Sequence, residues 1–269
     1  MRYTVDREQA MVVVPAMDDT QRFDVFLLRT PASNDGSGPV RFTAIARNVG
    51  VATWSDKPVG QLLGLEWFLP HSARASSMVT PSVMAIYESG TCVVYSWDTP
   101  PNKSGSSEPG ATVPPKCPPQ PRFGVSLETD PLLACTVDAK GKVGVVGTVT
   151  GSAWMFELEP ANHDAIVTQQ IWGPINAATA ANETSDEAEP RPISSVAVSP
   201  DNKRIALACH DGSIQLVKRS TGAPVARLDP PAGGGGGSAK IRRVKWSGSG
   251  PLTLAAAYDD GTIALWTLP

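Results

Sequence analysis

Hydrophobic and polar residues alternate along most of this chain with a period of two. Short runs rich in Val, Ile, Leu and Thr recur between clusters of Gly, Pro, Asp and Asn. Runs of this kind are typical of β-strands separated by turns. We find no long stretch with apolar residues at positions i, i+3, i+4 and i+7, which is the pattern of an amphipathic helix. The sequence therefore predicts an all-β protein with negligible helix.

Three stretches do not fit the strand pattern. Residues 100–121 are rich in proline, which cannot pair in the interior of a sheet. Residues 176–192 are small, polar and acidic, and residues 230–239 contain a run of glycines typical of a flexible tether. We predict that these stretches are surface inserts in one domain that spans residues 1–269.

Two segments near the end of the chain share one pattern. Residues 193–217 and 241–266 each contain an apolar strand, a Ser-containing turn, a second apolar strand, an Asp-Gly turn and a strand that begins Ser-Ile or Thr-Ile. An Asp-Gly pair between two β runs predicts a tight two-residue hairpin, because glycine readily adopts positive φ. Each segment is therefore predicted to hold at least three antiparallel strands, which we name a, b and c.

Weaker copies of the pattern precede these two. They lie at residues 2–26, at "LLGLEWF" followed by "VMAIYESGTCVVY", and at residues 122–146. The equivalent positions in strand c of the five copies are 26, 95, 146, 217 and 266. After the inserts are subtracted, the spacing of these positions approaches the roughly 40–45 residues of a propeller blade.

A fourth strand, d, is predicted in three of the five copies. The candidates are residues 40–47, 153–159 and 223–228. No candidate is found for the second copy, where the Pro-rich insert intervenes, and the fifth copy stops after strand c. The fifth copy is therefore predicted to lack its outer strand and to expose an edge of unpaired N–H and C=O groups.

The last two copies carry a resemblance to a known family. The order Asp-Gly-Thr-Ile-x-Leu-Trp, together with an upstream Val-x-Val-Ser-Pro-Asp, resembles the WD-repeat family of β-propellers. The resemblance is good over residues 193–266 and faint over residues 1–150. It implies a β-propeller of about five WD-like blades, with a ring that is incomplete or open at the last blade. It also implies a non-enzymatic scaffold whose partners are other proteins.

The sequence contains no motif that favours an enzyme. The three histidines, His71, His163 and His210, form neither H-x-x-x-H nor H-E-x-x-H, and no G-x-S-x-G motif is present. The stretch "GKVGVVG" at 141–147 lacks the residue order of a phosphate-binding loop, and its place in the repeat predicts strand c of the third blade. We therefore predict a protein that is not an enzyme and that has no cofactor, no metal and no small-molecule substrate.

Net charge and cysteine spacing disfavour some classes of partner and favour an intracellular location. The formal net charge of −3 disfavours a general nucleic-acid or membrane binder, because both ligands attract basic proteins. No apolar run approaches the ~18 residues that cross a bilayer, and the charged start "MRYTVDREQA" is not a secretory signal. The four cysteines form no C-x-x-C pair, which favours free thiols and a cytoplasmic or nuclear location.

One basic stretch stands out, "KIRRVKW" at residues 240–246. Strand alternation places Val244 and Trp246 on one side and Arg243 and Lys245 on the other. Two interpretations are open for these charges. They are solvated or ion-paired, or they dock an acidic partner segment or a phosphate group. A propeller that binds nucleic acid or phosphate through this strand is the first alternative function. A propeller enzyme with its site in the central channel is the second.

The last strand supplies the second candidate site. We expect the edge "GTIALW" at residues 261–266 to be covered by a partner's strand, or by further residues of a longer natural chain. The protein would then act as a scaffold subunit of a multiprotein complex. The candidate partner-binding residues are Arg242, Arg243, Lys245, Thr262, Ile263 and Trp266.

Shortening an insert is expected to leave the fold intact. Each twofold change in the length of a surface loop changes the free energy of unfolding by only about 0.6 kcal/mol. Removal of most of residues 100–121 should therefore cost little stability. Chemical unfolding of the wild-type and shortened chains measures the difference. Loss of the cooperative transition would show that the Pro-rich stretch is an embedded structural element.

Overall fold

The computed structural model describes most of the chain. The described ranges are 2–4, 9–29, 41–71, 81–97, 118–127, 130–159, 168–173, 191–230, 239–248 and 250–268. All the regular secondary structure within these ranges is β-strand, and none of it is helix. This confirms the prediction of an all-β protein. Most residues of the three predicted inserts lie outside the described residues, as do Cys117 and His163.

Blades I and II are the first two antiparallel sheets along the chain, and each contains four strands. Blade I contains β1 (Arg2–Thr4), β2 (Gln9–Pro15), β3 (Phe23–Arg29) and β4 (Arg41–Val49). A small hairpin of β5 (Thr53–Trp54) and β6 (Lys57–Pro58) follows it. Blade II contains β7 (Leu62–Phe68), β8 (Ser82–Tyr87), β9 (Thr91–Ser96) and β10 (Gln120–Ser126).

Blades III and IV also contain four strands, whereas the described part of blade V contains three. Blade III contains β11 (Leu132–Val137), β12 (Val143–Thr148), β13 (Ala153–Glu157) and β14 (Thr168–Trp172). Blade IV contains β15 (Ile193–Val198), β16 (Arg204–Cys209), β17 (Ile214–Lys218) and β18 (Pro224–Leu228). Blade V contains β19 (Ile241–Trp246), β20 (Thr253–Tyr258) and β21 (Ile263–Thr267).

Hydrophobic clusters join each blade to the next one along the chain. One cluster lies between each of the pairs I–II, II–III, III–IV and IV–V. In the first cluster the ring of Phe23 packs edge-on against that of Tyr95, with centroids 5.2 Å apart. The first strands of blades II to V contact one another in order, which places them innermost. Among the described residues no such cluster joins blade V to blade I, so the blades form an open β-propeller.

The strand assignment from sequence is wrong for blades II and III. The third copy was expected to begin near residue 122, but residues 120–126 form β10, the outer strand of blade II, where Val125 pairs with Cys92. The stretch "GKVGVVG" consequently contributes the second strand of blade III, and residues 153–157 form its third strand instead of its fourth. The Pro-rich insert separates β10 from β9 along the chain, and this separation hides their pairing. The fourth strands predicted at 40–47 and 223–228 are present as β4 and β18.

The two Asp-Gly turns are three-residue turns and not two-residue turns. Gly212 donates its N–H to the carbonyl oxygen of Cys209 at 3.1 Å, and Cys209 donates to that of Ser213 at 2.9 Å. Gly212 has a φ of +84° and the equivalent Gly261 has a φ of +87°, whereas the Asp before each glycine is not among the positive-φ residues. A tight turn followed by a left-handed glycine is the second common hairpin type, and only the glycine needs positive φ.

Gly212 and Gly261 differ in what surrounds them. A Cβ atom on Gly212 would lie 2.6 Å from the carbonyl oxygen of Ala239, at the entrance to blade V. A Cβ atom on Gly261 would meet nothing within 4 Å. The turn of blade IV is therefore covered by the next blade, and the turn of blade V is open among the described residues.

Substitution of the two glycines by alanine tests this difference. Gly261→Ala should cost about 1–2 kcal/mol of stability, because alanine is strained at positive φ. Gly212→Ala should cost a further 1–3 kcal/mol or so, because its methyl group would displace the backbone of residue 239. Thermal unfolding of both variants measures the order. Equal losses in the two variants would contradict the packing of blade V on this turn.

Candidate partner-binding site

One face of blade V packs against blade IV. Val244 and Trp246 of β19 are buried in the cluster between the two blades. Trp246 donates its indole N–H to the carbonyl oxygen of Ala197 at 3.1 Å, and the amide of Val244 donates to the Ser195 hydroxyl at 3.1 Å. The predicted alternation along β19 is confirmed, because Arg243 and Lys245 are exposed. This face is fixed by apolar packing and by polar contacts together.

The opposite face of blade V is open among the described residues. Two rows of paired residues cross its three strands, one from Arg243 through Ala257 to Ile263 and the other from Lys245 through Ala255 to Leu265. Residues that face each other across antiparallel strands lie on the same side of the sheet. The open face therefore has cations on the inner strand, alanines in the middle and aliphatic side chains on β21. Ile263 is 70% exposed and Leu265 is 68% exposed.

The outer edge of blade V presents backbone amides. Hydrogen bonds at the two ends of β21 join Thr262 and Leu268 to β20. Amides point in alternate directions along an antiparallel strand. The amides that point away from β20 therefore belong to Ile263, Leu265 and Thr267. No described strand pairs with this edge.

The cations of β19 also act on Glu66 in the first strand of blade II. Burial raises the pKa of Glu66, on the innermost strand of blade II, to about 7, and the positive charges of Arg243 and Lys245 oppose that rise. Arg242 has a different environment, since its guanidinium lies 4.0 Å from the Asp259 carboxylate and its side chain is 73% exposed. Arg243 and Lys245 thus lie on the open face and also act electrostatically on the first strand of blade II, whereas Arg242 lies near the turn of its own blade.

The six residues chosen from the sequence are not all on one surface. Arg243, Lys245 and Ile263 lie on the open face. Trp266 packs into the cluster with blade IV, on the side opposite Ile263. The sequence analysis did not choose Leu265, although strand alternation places it on the same side as Ile263.

Metal-binding clusters and reactive thiols are two kinds of chemical centre that the side chains of a folded protein can form. No group of three or more His, Cys, Asp or Glu side chains that could hold a metal is found among them. Burial raises the pKa of the free thiols Cys92 and Cys209, that of Cys209 to about 12. Such thiols are protonated at neutral pH and are therefore poor nucleophiles. No helix in the described ranges has the length and apolar character needed to cross a membrane.

Comparisons with known proteins agree with this fold. The sequence model "WD domain, G-beta repeat" of the WD40 family matches residues 185–217 and 233–267. The crystal structure of Sqt1 from Chaetomium thermophilum superimposes with a TM-score of 0.59 at 17% sequence identity. The match covers 98% of this chain and 55% of that chain. The chain therefore spans about half the length of this similar structure.

The pKa of Glu66 predicts a pH-dependent stability. The unfolded carboxyl group titrates near 4.5 and the folded one near 7, so the folded state binds more protons between these values. Stability should therefore fall as the pH rises from about 4.5 to 7. Glu66→Gln should remove this part of the pH dependence. The difference in melting temperature between wild type and variant, measured from pH 5 to pH 8, tests the prediction, and the exposed Glu157→Gln serves as the control.

Proposed function

Since this chain is a WD-repeat protein, we propose that it is a non-enzymatic scaffold that binds other proteins as a subunit of a multiprotein complex in the cytoplasm or nucleus. The observation that carries the proposal is the unpaired edge of β21 in blade V. A partner strand that pairs with this edge would gain backbone hydrogen bonds from Ile263, Leu265 and Thr267. Strand addition of this kind is a known mode of peptide capture.

Blade IV shows how such an edge is completed. Its third strand, β17, occupies the position of β21, and the fourth strand β18 pairs with it. Lys218 at the end of β17 donates its amide to the carbonyl oxygen of Ala223 at 2.8 Å. Ile214 and Leu216 stand at the positions of Ile263 and Leu265 and pair with Leu228 and Ala226. A bound strand would give blade V the same four-stranded order.

Binding of nucleic acid or phosphate is the second candidate function. The exposure of Arg242, Arg243 and Lys245 on one strand favours it. Against it, the Arg242 guanidinium lies 4.0 Å from the Asp259 carboxylate, and Arg243 and Lys245 act electrostatically on the partly buried Glu66. An acidic protein segment fits this arrangement better than a nucleic-acid backbone, which is usually bound by a broad basic surface.

Amide hydrogen exchange on the isolated protein tests the open edge. The amides of Ile263, Leu265 and Thr267 should exchange fast, because no described strand pairs with that edge. The amides of Ile214, Leu216 and Lys218 should exchange slowly, because they face β18. These three form a matched control in the same chain. Addition of the partner, or of a C-terminal extension, should slow exchange at β21.

One outcome would contradict the open-edge proposal. If the outward amides of β21 were as protected in the isolated monomer as those of β17, the edge would already be covered. A scaffold would then have to bind its partners through another surface. Light scattering on the same sample establishes that the protein is monomeric during the measurement.

A further inference from the structure

The face of blade IV that turns toward blade V has a simple composition. Two rows cross it, one from Ser195 through Ala208 to Ile214 and the other from Ala197 through Ala206 to Leu216. Blade V covers these rows, so that Ile214 is 0% exposed and Leu216 is 1% exposed. The small alanines of the middle strand allow the neighbouring blade to approach closely, and the aliphatic residues of the third strand fill the space beyond them.

The open face of blade V has the same composition at the same positions. Its rows run through Ala257 to Ile263 and through Ala255 to Leu265. In both blades an alanine of the second strand pairs with Ile in one row, and an alanine of the second strand pairs with Leu in the other row. The difference is exposure, since Ile263 and Leu265 are more than two thirds exposed. In blade IV this surface is covered by another blade. Blade V has an equivalent surface that is exposed.

Along these two rows, the inner strand marks the chemical difference between the two faces. Blade IV has Ser195 and Ala197 where blade V has Arg243 and Lys245. In the IV–V interface the residues opposite this strand are Val244 and Trp246, which bond to Ser195 and Ala197. An occupant of the open face would instead place its inner strand beside two cations. Burial of these cations is favourable only if carboxylates accompany them.

We propose that the open face of blade V binds a β-blade from a partner polypeptide, with Asp or Glu on its inner strand and large apolar side chains on the rest of its facing surface. This inference rests on the scaffold function proposed above and adds the chemistry of the partner. The apolar part corresponds to the face with which blade V covers blade IV, which includes Trp246, Leu254, Tyr258 and Trp266. The acidic part complements Arg243 and Lys245. A blade that packs on the open face does not pair with the backbone edge of β21 unless it supplies a further strand for that purpose. The face and the edge are therefore separate contacts.

Removal of the two exposed aliphatic side chains tests the apolar contact. Ile263→Ser with Leu265→Ser should leave the melting temperature of the isolated chain nearly unchanged, because both side chains are largely in solvent. Recovery of the partner on the tagged chain, purified from native cells, should fall about tenfold or more, because central apolar contacts dominate binding. The matched control is Ile214→Ser with Leu216→Ser, which should lower the melting temperature strongly, because blade V covers these residues.

Neutralisation of the two cations tests the acidic contact. Arg243→Gln with Lys245→Gln should weaken partner recovery and reduce its sensitivity to added salt, because charge pairing is screened by ions. Lys142→Gln with Lys203→Gln removes two exposed cations elsewhere and serves as the control. The melting temperature of each variant is measured in parallel, since Arg243 and Lys245 also act on Glu66.

A photo-crosslinking residue identifies the occupant of the face. p-Benzoylphenylalanine is placed at position 265, and at the 98% exposed position 17 in blade I as a control. The expected product at position 265 is a peptide from another polypeptide, in a predicted β-strand run with a nearby Asp or Glu. Crosslinking at 265 to a second copy of this chain, or to further residues of its own natural chain, would overturn the proposal.

The remaining outcomes separate this inference from the proposed function. If a partner co-purifies but crosslinks only at position 17, or is retained by the Ile263→Ser, Leu265→Ser variant, the scaffold function stands and the open face is not its binding surface. If no protein is recovered and neither position crosslinks, both proposals fail.

Discussion

The packing of one sheet against the next is the contact on which this structure depends. A blade of three or four strands has two faces and cannot bury either of them alone. In the described structure the apolar side chains of each blade therefore lie in clusters shared with a neighbour, as Ala206 and Leu216 of blade IV do with Trp246 of blade V. Stability in such arrays is approximately a sum over neighbouring pairs. A blade with a single neighbour consequently contributes one interface where an interior blade contributes two.

Blade V illustrates this constraint most clearly. It is joined to blade IV by a buried cluster and by hydrogen bonds such as that from the Tyr258 hydroxyl to the carbonyl oxygen of Gly212, at 3.3 Å. Its second face has no such contacts among the described residues. Regions with fewer buried contacts open more readily than the rest of a fold. A ligand that binds only the folded blade would therefore also stabilise it, so that partner binding and local folding are linked.

The sequence predicted much of the fold because its signals are local. Alternation and Asp-Gly turns located the strands of blades IV and V, and they placed Arg243 and Lys245 on the exposed side of β19. The order of strands in blades II and III was missed because alternation shows that a strand exists and not which strand it pairs with. Trp266 was chosen because it lies on the last strand, which was expected to bind a partner, although its side chain packs toward blade IV. The pKa of Glu66 was beyond local analysis, because it depends first on burial by the folded chain and then on charged residues nearly 180 positions away.

The two cations of β19 link the interior of the propeller to its open face. They lower the cost of the Glu66 charge on the first strand of blade II, and they occupy the positions where blade IV has a serine and an alanine. A carboxylate bound at the open face would interact with the same cations. Occupation of the face and ionisation of Glu66 would then affect each other, because coupling between two sites that share charged groups is reciprocal. Blade IV binds its neighbour through apolar packing and uncharged hydrogen bonds. Blade V has Arg and Lys at the equivalent positions, so its open face also selects the charge of its partner.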